Sequence, residues 1–194
     1  MAQSVLITGS TAAIDEVADA ISAAGGTPVV ARTAQELTVA LADTPDGSLK
    51  HYVQLPTSVV PQGSTVTTRV HNFLVEGLLA RYRASEAVLP ALADDAHVVL
   101  VSGNVNTESA APDDRAARLS LVHVLKHAMI ADKGSTNFTV EVAMPGTTPR
   151  QVATAAMTGK TLGDSESSAI AAVDPGLDYV DWRTEMLGAM RSEF

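Results

Sequence analysis

Thr8 and Gly9 close a short apolar run, Val5 to Ile7, and lead through Ser10, Thr11 and Ala12 into a helix beginning near Ala13, Ile14 and Asp15. A strand ending in Thr-Gly and feeding a helix is how a nucleotide-binding βαβ unit starts, its glycines letting backbone amides approach a pyrophosphate at the helix N-terminus. Here Ala13 and Asp15 stand where two further glycines are expected. A carboxylate in a helix's first turn interacts favourably with the macrodipole, by roughly 0.3–1 kcal/mol, and the same charge repels a phosphate from that position. The turn keeps the frame of a phosphate site and predicts no dinucleotide bound in it.

Other constellations are weaker. His123 and His127 put two imidazoles on one helical face, as metal sites use, but no acidic residue is adjacent in a zincin-like arrangement and Lys126 repels a cation; no metal is expected. Ser102 lacks the Gly-x-Ser-x-Gly elbow of a nucleophile and reads as a strand-end hydroxyl. Arg69, Arg81 and Arg83 form either a solvated face or a small basic stripe for a phosphate or an acidic partner. The C-terminal run from Leu177 to Leu187 holds the only tryptophan, Trp182, near Tyr179. Aromatics anchor interfaces, so this run either closes the core or meets another subunit.

These residues must be positioned by a chain of 194 residues, 46% hydrophobic and 4% aromatic, which can bury a full core of Ala, Val and Leu as one domain spanning 1–194. A formal charge of -9 disfavours nonspecific binding to nucleic acid or anionic lipid. The absence of cysteine excludes disulfides, thiolate catalysis and Cys-ligated zinc. Met1 to Gly9 has no basic leader region, and no stretch approaches the ~20 apolar residues of a membrane helix; a cytoplasmic protein is expected.

Strands are expected at Val5–Thr8, Pro28–Ala31, Leu49–Leu55, His97–Ser102, Phe138–Ala143 and Ala169–Val173. Helices carry Ile14, Val17 and Ile21, then Leu37 and Leu41, with a short helix at Gln151–Met157 and a tail helix at Tyr179–Met190 within 177–194. Strands alternating with helices predict an α/β fold with a doubly wound parallel sheet. Two long helices, about Val66 to Leu89 and Asp113 to Ile130, are apolar on more than one face and so require two partners each: the sheet, and either a neighbouring helix or another subunit.

In order and spacing these pieces resemble the short-chain dehydrogenase/reductase family across most of the chain. The resemblance rests on the Thr8-Gly9 turn, Ala87-Val88-Leu89-Pro90 closing the long helix, the strand Val98–Ser102, Val140–Gly146 ending in Pro-Gly, and Val173-Asp174-Pro175-Gly176. It implies a Rossmann-like, three-layer fold. It also implies where a nicotinamide cofactor turn and an Asn-Ser-Tyr-Lys tetrad should fall, and these are degenerate. Of the turn, Thr8 and Gly9 match, while Ala13 and Asp15 replace glycines. The tetrad positions fall on Gly77, Gly103, Asp114 and Arg118. The family's Tyr delivers a proton with its pKa lowered by the Lys; Asp114 is ionised at neutral pH and Arg118 keeps its proton, so the two read as an i,i+4 helix salt bridge. Arg32 to Ser48 leaves room for one helix only, so the fold is shortened by about one βα unit, on the side that packs on the cofactor's adenine. Gln54-Leu55-Pro56-Thr57 also replaces the family's NNAG.

The resemblance thus implies a pseudoenzyme with no cofactor and no catalytic residues. It would be a structural or regulatory subunit for an active NAD(P)-dependent dehydrogenase acting on a hydroxyacyl-CoA or ketone, or a homo-oligomer. Assembly would run through the two long helices, with Phe73, Leu79, Tyr82, Leu121, Leu125 and Met129, together with Trp182, as interface candidates. An oxidoreductase using Asp114, Arg118 and Ser102, or a ligand-sensing homo-oligomeric scaffold, are the alternatives.

Overall fold

The computed structural model describes residues 3–57, 62–103, 112–144, 146–162, 173, 177 and 179–192. Five parallel strands form one sheet: β1 (Gln3–Thr8), β2 (Gly26–Ala31), β3 (Leu49–Gln54), β4 (Leu92–Val101) and β5 (Thr139–Ala143), in the order β2-β1-β3-β4-β5. The fold is a three-layer, Rossmann-like α/β domain. Helices α1 (Ala13–Ala23) and α6 (Pro149–Thr158) cover one face; α2 (Ala34–Ala42), α4 (Ala80–Val88) and α5 (Pro112–Asp132) cover the other. A short α3 (Val66–Asn72) precedes α4, and α7 (Tyr179–Ser192) closes the described chain.

Strand alternation builds both cores. Val5 and Ile7 point toward α1 and α6, where they meet Ile14, Val17, Ile21 and Val152, all fully buried. Leu6 points the other way, among Tyr52, Val98, Leu100, Val122 and Leu125. Each such aliphatic side chain contributes roughly 1.5–3 kcal/mol by leaving water. The loop ends are built from local chemistry. The Thr33 hydroxyl caps α2 by accepting from the Glu36 amide. Thr148 and Gln151 form a reciprocal capping box at the start of α6.

A single helix, α2, connects β2 to β3, and β2 pairs only with β1. Pro28 is tolerated in β2 because an edge strand leaves one row of amides without a ladder to fill.

The structure differs from the sequence reading in two elements. β4 begins at Leu92, not His97: Leu92 pairs with Leu49, the register then shifts, and His97 pairs with His51. Exposed Asp94 and Asp95 fall in the shifted stretch and mask the strand in the sequence pattern. The long helix from Val66 is not uniform either. α3 passes into a π-helical segment, Phe73–Leu79, then into α4, and ends in a 3-10 turn, Leu89–Ala91, containing Pro90. A wider turn shifts every later residue around the axis, so faces assigned at a constant 3.6-residue period do not carry through it. The expected strand Ala169–Val173, apart from Val173, and Asp174-Pro175-Gly176 lie outside the described residues.

From Val122 to Met129, α5 finds partners within the chain on two sides. Val122, Leu125 and Met129 pack on the sheet, while Val124 meets a small cluster with Val173, Trp182, Met186 and Ala189. No helix among the described residues is long and apolar enough to cross a membrane.

Candidate functional site

In open parallel sheets, ligands bind outside the carboxyl ends of the strands, where the chain switches direction. Here that point lies between β1 and β3. There the segments that follow the two strands bond to each other. The Leu55 amide donates to the Thr8 carbonyl at 2.8 Å, and the Ser10 amide to the Pro56 carbonyl at 3.3 Å. Gly9 has φ +125°, and a Cβ there would lie 2.7 Å from the Leu55 oxygen and 2.9 Å from its Cβ. Gly9 is thus required by the close approach of Leu55.

At the start of α1 the N-cap, Ala12, offers no side-chain acceptor, and Asp15 and Glu16 sit in the first turn. Ala13 is buried, its methyl filling the core where a glycine would leave space. Asp15 pairs with the guanidinium of Arg32, beyond the end of β2, at 2.5 Å, while the Arg32 amide donates to Glu36. Asp15 therefore does more than the sequence indicated: it ties α1 to the segment following β2.

The positions to which the resemblance assigns a tetrad are not brought together as a reactive set. Gly77 is buried in the π-helical segment and Gly103 is buried just beyond β4, and neither has a side chain to offer. Asp114 and Arg118 lie on α5, one turn apart; their side chains, and so the expected salt bridge, lie outside the described residues. The Ser102 hydroxyl donates to the Ala143 carbonyl at 2.8 Å, and the Ser102 amide to the same oxygen, tying β4 to β5.

Sequence reasoning missed a buried polar network on the α4 side of the same carboxyl edge. Thr8 and Tyr52 share a hydrogen bond of 2.8 Å. The Gln54 amide nitrogen lies 3.0 Å from both the Arg81 carbonyl and the Ser85 hydroxyl and 3.1 Å from the Tyr52 oxygen. Arg81 returns the contact: its Nε donates to the Gln54 side-chain oxygen at 3.0 Å and its Nη2 to the Val101 carbonyl at 2.9 Å. Thr8, Tyr52, Gln54 and Ser85 are each buried. Burial pushes the Tyr52 and Tyr82 phenols above their ordinary values and pulls the Arg81 guanidinium down to about 10, the nearby tyrosines opposing that fall. Arg69, Arg81 and Arg83, read as either a solvated face or a basic stripe, do not share one surface: Arg69 and Arg83 are exposed, but Arg81 turns inward. A signal existed. Tyr52 and Gln54 are polar at a two-residue spacing in an otherwise apolar strand, and Thr8 pairs in register with Gln54.

Among the interface candidates, Leu125 and Met129 are 2% and 1% exposed and belong to this chain's own core, which corrects their assignment to a surface. Tyr82 and Leu121 are half-buried, the Tyr82 hydroxyl donating to the Leu121 carbonyl at 3.5 Å. Leu79 is 46% exposed, beside Leu74 at 45%. The Phe73 side chain lies outside the described residues. Trp182 packs edge-on to His127, ring centroids 5.9 Å apart, so it closes α7 onto α5. His123 and His127 are both buried, and no group of three His, Asp or Glu placed to hold a metal occurs among the described residues.

Elsewhere, His51 and His97 face each other on β3 and β4, ring centroids 6.0 Å apart. A shallow cleft of about 380 Å³ on the outside of α6 is lined by Arg150, Gln151, Thr154, Lys160 and Leu162. Compared with protein-family models, curated proteins and solved structures, the chain finds no match.

Proposed function

We propose that this chain is a catalytically inactive subunit, similar to a short-chain dehydrogenase, that structurally supports or regulates an active NAD(P)-dependent partner in the cytoplasm. The observation that carries the reading is Asp15. It sits in the first turn of α1, where a pyrophosphate would need backbone amides and no competing charge, and Arg32 holds it there. Two further features support it. Gly9 is packed against Leu55, so the glycine is accounted for by the fold without a phosphate. Gly77 and Gly103 have no donor for a carbonyl substrate. The partner would supply cofactor and proton donor, and the exposed Leu74 and Leu79 on the π-helical segment provide an apolar contact for it.

The test is a titration of the isolated chain with NADPH, read by nicotinamide fluorescence. No saturable enhancement is expected, and a saturable rise would sink the reading. Co-expression with an intact dehydrogenase from the same host should give a complex whose mass by light scattering exceeds that of either chain alone. A second reading, a ligand-responsive homo-oligomer, is favoured by one observation, the inward-facing cation Arg81.

A further inference from the structure

We propose that Arg81 is the recognition group of a binding site for a small oxyanion, a carboxylate or phosphate, at the carboxyl edge of the sheet beside β3 and β4. A guanidinium has five N–H donors in a fixed planar fork. The chain engages two groups of that fork, Nε–H with Gln54 and Nη2–H with Val101. Both acceptors are neutral amide oxygens. Among the described residues no carboxylate stands against Arg81; the ion pairs there are Arg32 with Asp15 and Lys50 with Asp95.

A cation withdrawn from water costs several kcal/mol unless an opposite charge compensates it. With 22 Asp and Glu against 13 Lys and Arg, a carboxylate from the chain itself would be the ordinary solution. The structure instead spends neutral groups on holding the fork still. Gln54 binds the backbone carbonyl of Arg81 and its Nε at once, and Gln54 is fixed in turn by Tyr52 and Ser85. A pre-aimed guanidinium loses little freedom on binding and suits the paired oxygens of a carboxylate or phosphate.

Arg81 keeps part of its surface open, and it stands at the edge of a parallel sheet where ligands collect. The size of the ligand is limited by what surrounds it. On the β1 side the Asp15 carboxylate stands in the first turn of α1, where it repels a second phosphate, so the ligand is a single oxyanion group rather than a dinucleotide. This site is independent of whether a partner subunit exists.

The experiment measures thermal unfolding and isothermal titration of the whole chain with inorganic phosphate and with acetate, each against chloride at equal ionic strength. For the wild type, at least one of the two should give a saturable rise in unfolding temperature over chloride, and the one that does identifies the ligand's chemistry. Arg81→Gln should abolish that saturable part. Arg150→Gln, which removes an exposed cation in the cleft on α6, should leave it intact. If Arg81→Gln does not fold, Arg81→Lys keeps the charge without the planar fork and should weaken the apparent affinity by about tenfold or more. No saturable response to either anion, persistence of the response in Arg81→Gln, or equal affinity in Arg81→Lys would each overturn the proposal.

Discussion

Replacing Gly9 with alanine separates the two reasons a glycine can stand at the end of a first strand. If it were there for a phosphate, a methyl group would disturb binding and spare the fold. The structure gives the other answer, since the added Cβ would meet the Leu55 oxygen at 2.7 Å and the Leu55 Cβ at 2.9 Å, both closer than carbon tolerates. Forcing a methyl into packed space costs about 1–3 kcal/mol. The φ of +125° adds backbone strain of about 1–3 kcal/mol for a residue with a side chain. Together these predict a loss of about 2–6 kcal/mol, and at about 2–4 °C per kcal/mol for a chain of this size, a fall in Tm on the order of 4–24 °C. Gly25→Ala is the internal control. Gly25 has φ +89° but nothing within 4 Å of its added Cβ, so it pays the strain alone. In urea titrations Gly9→Ala should be less stable than Gly25→Ala by about 1–3 kcal/mol. Equal stabilities would mean that Leu55 moves aside freely, and the claim that its approach requires Gly9 would fail.

The remaining predictions concern the other end of the sheet and the helical surfaces. Burial lowers the His51 pKa, with His97 and Lys50 adding repulsion against the opposing Ala156 carbonyl and Asp95. The unfolded chain therefore takes up the proton first as pH falls below about 6.5, and stability should be full above that value and decline below it. Urea midpoints measured from pH 8 to 5.5 should show this decline in the wild type and a flatter profile in His51→Gln; a flat wild-type profile refutes it. Leu125→Ala should cost about 2–5 kcal/mol with no change in oligomeric mass, because Leu125 is spent on the core. Leu79→Ser, at an exposed position, should leave the Tm within about 2 °C and weaken any assembly seen by light scattering. The reverse pattern would return Leu125 to an interface.

What was legible in the sequence was whatever a fixed period expresses. Val5 and Ile7 against Leu6, or Ile14, Val17 and Ile21 along α1, repeat at the spacing of their element, so the strands and most helices could be read. β4 escaped in part because Asp94 and Asp95 interrupt its pattern at the register shift, while the strand pairs with β3 on either side of them, at Leu92 and at His97. The π-helical segment escaped because a change of hydrogen-bond register leaves no compositional trace. Arg81 was unreadable for that reason: it follows the wider turn, and its inward direction depends on a rotation that a constant helical period assigns elsewhere.

At the carboxyl edge the strand ends find their partners within the chain. The exposed backbone and polar ends of parallel strands need partners. Here Leu55 takes the Thr8 carbonyl, Ser102 takes the Ala143 carbonyl and Arg81 takes the Val101 carbonyl. Gln54 and Tyr52 close the remaining contacts with Thr8 and Ser85. Thr8 and Gly9, which read as remnants of a phosphate turn, are thus held by the chain itself: Thr8 by Tyr52 and Leu55, Gly9 by the approach of Leu55. Among the described residues of this edge, the Arg81 guanidinium is held by neutral acceptors alone, Gln54 and Val101, and this is the feature on which the proposed oxyanion site rests.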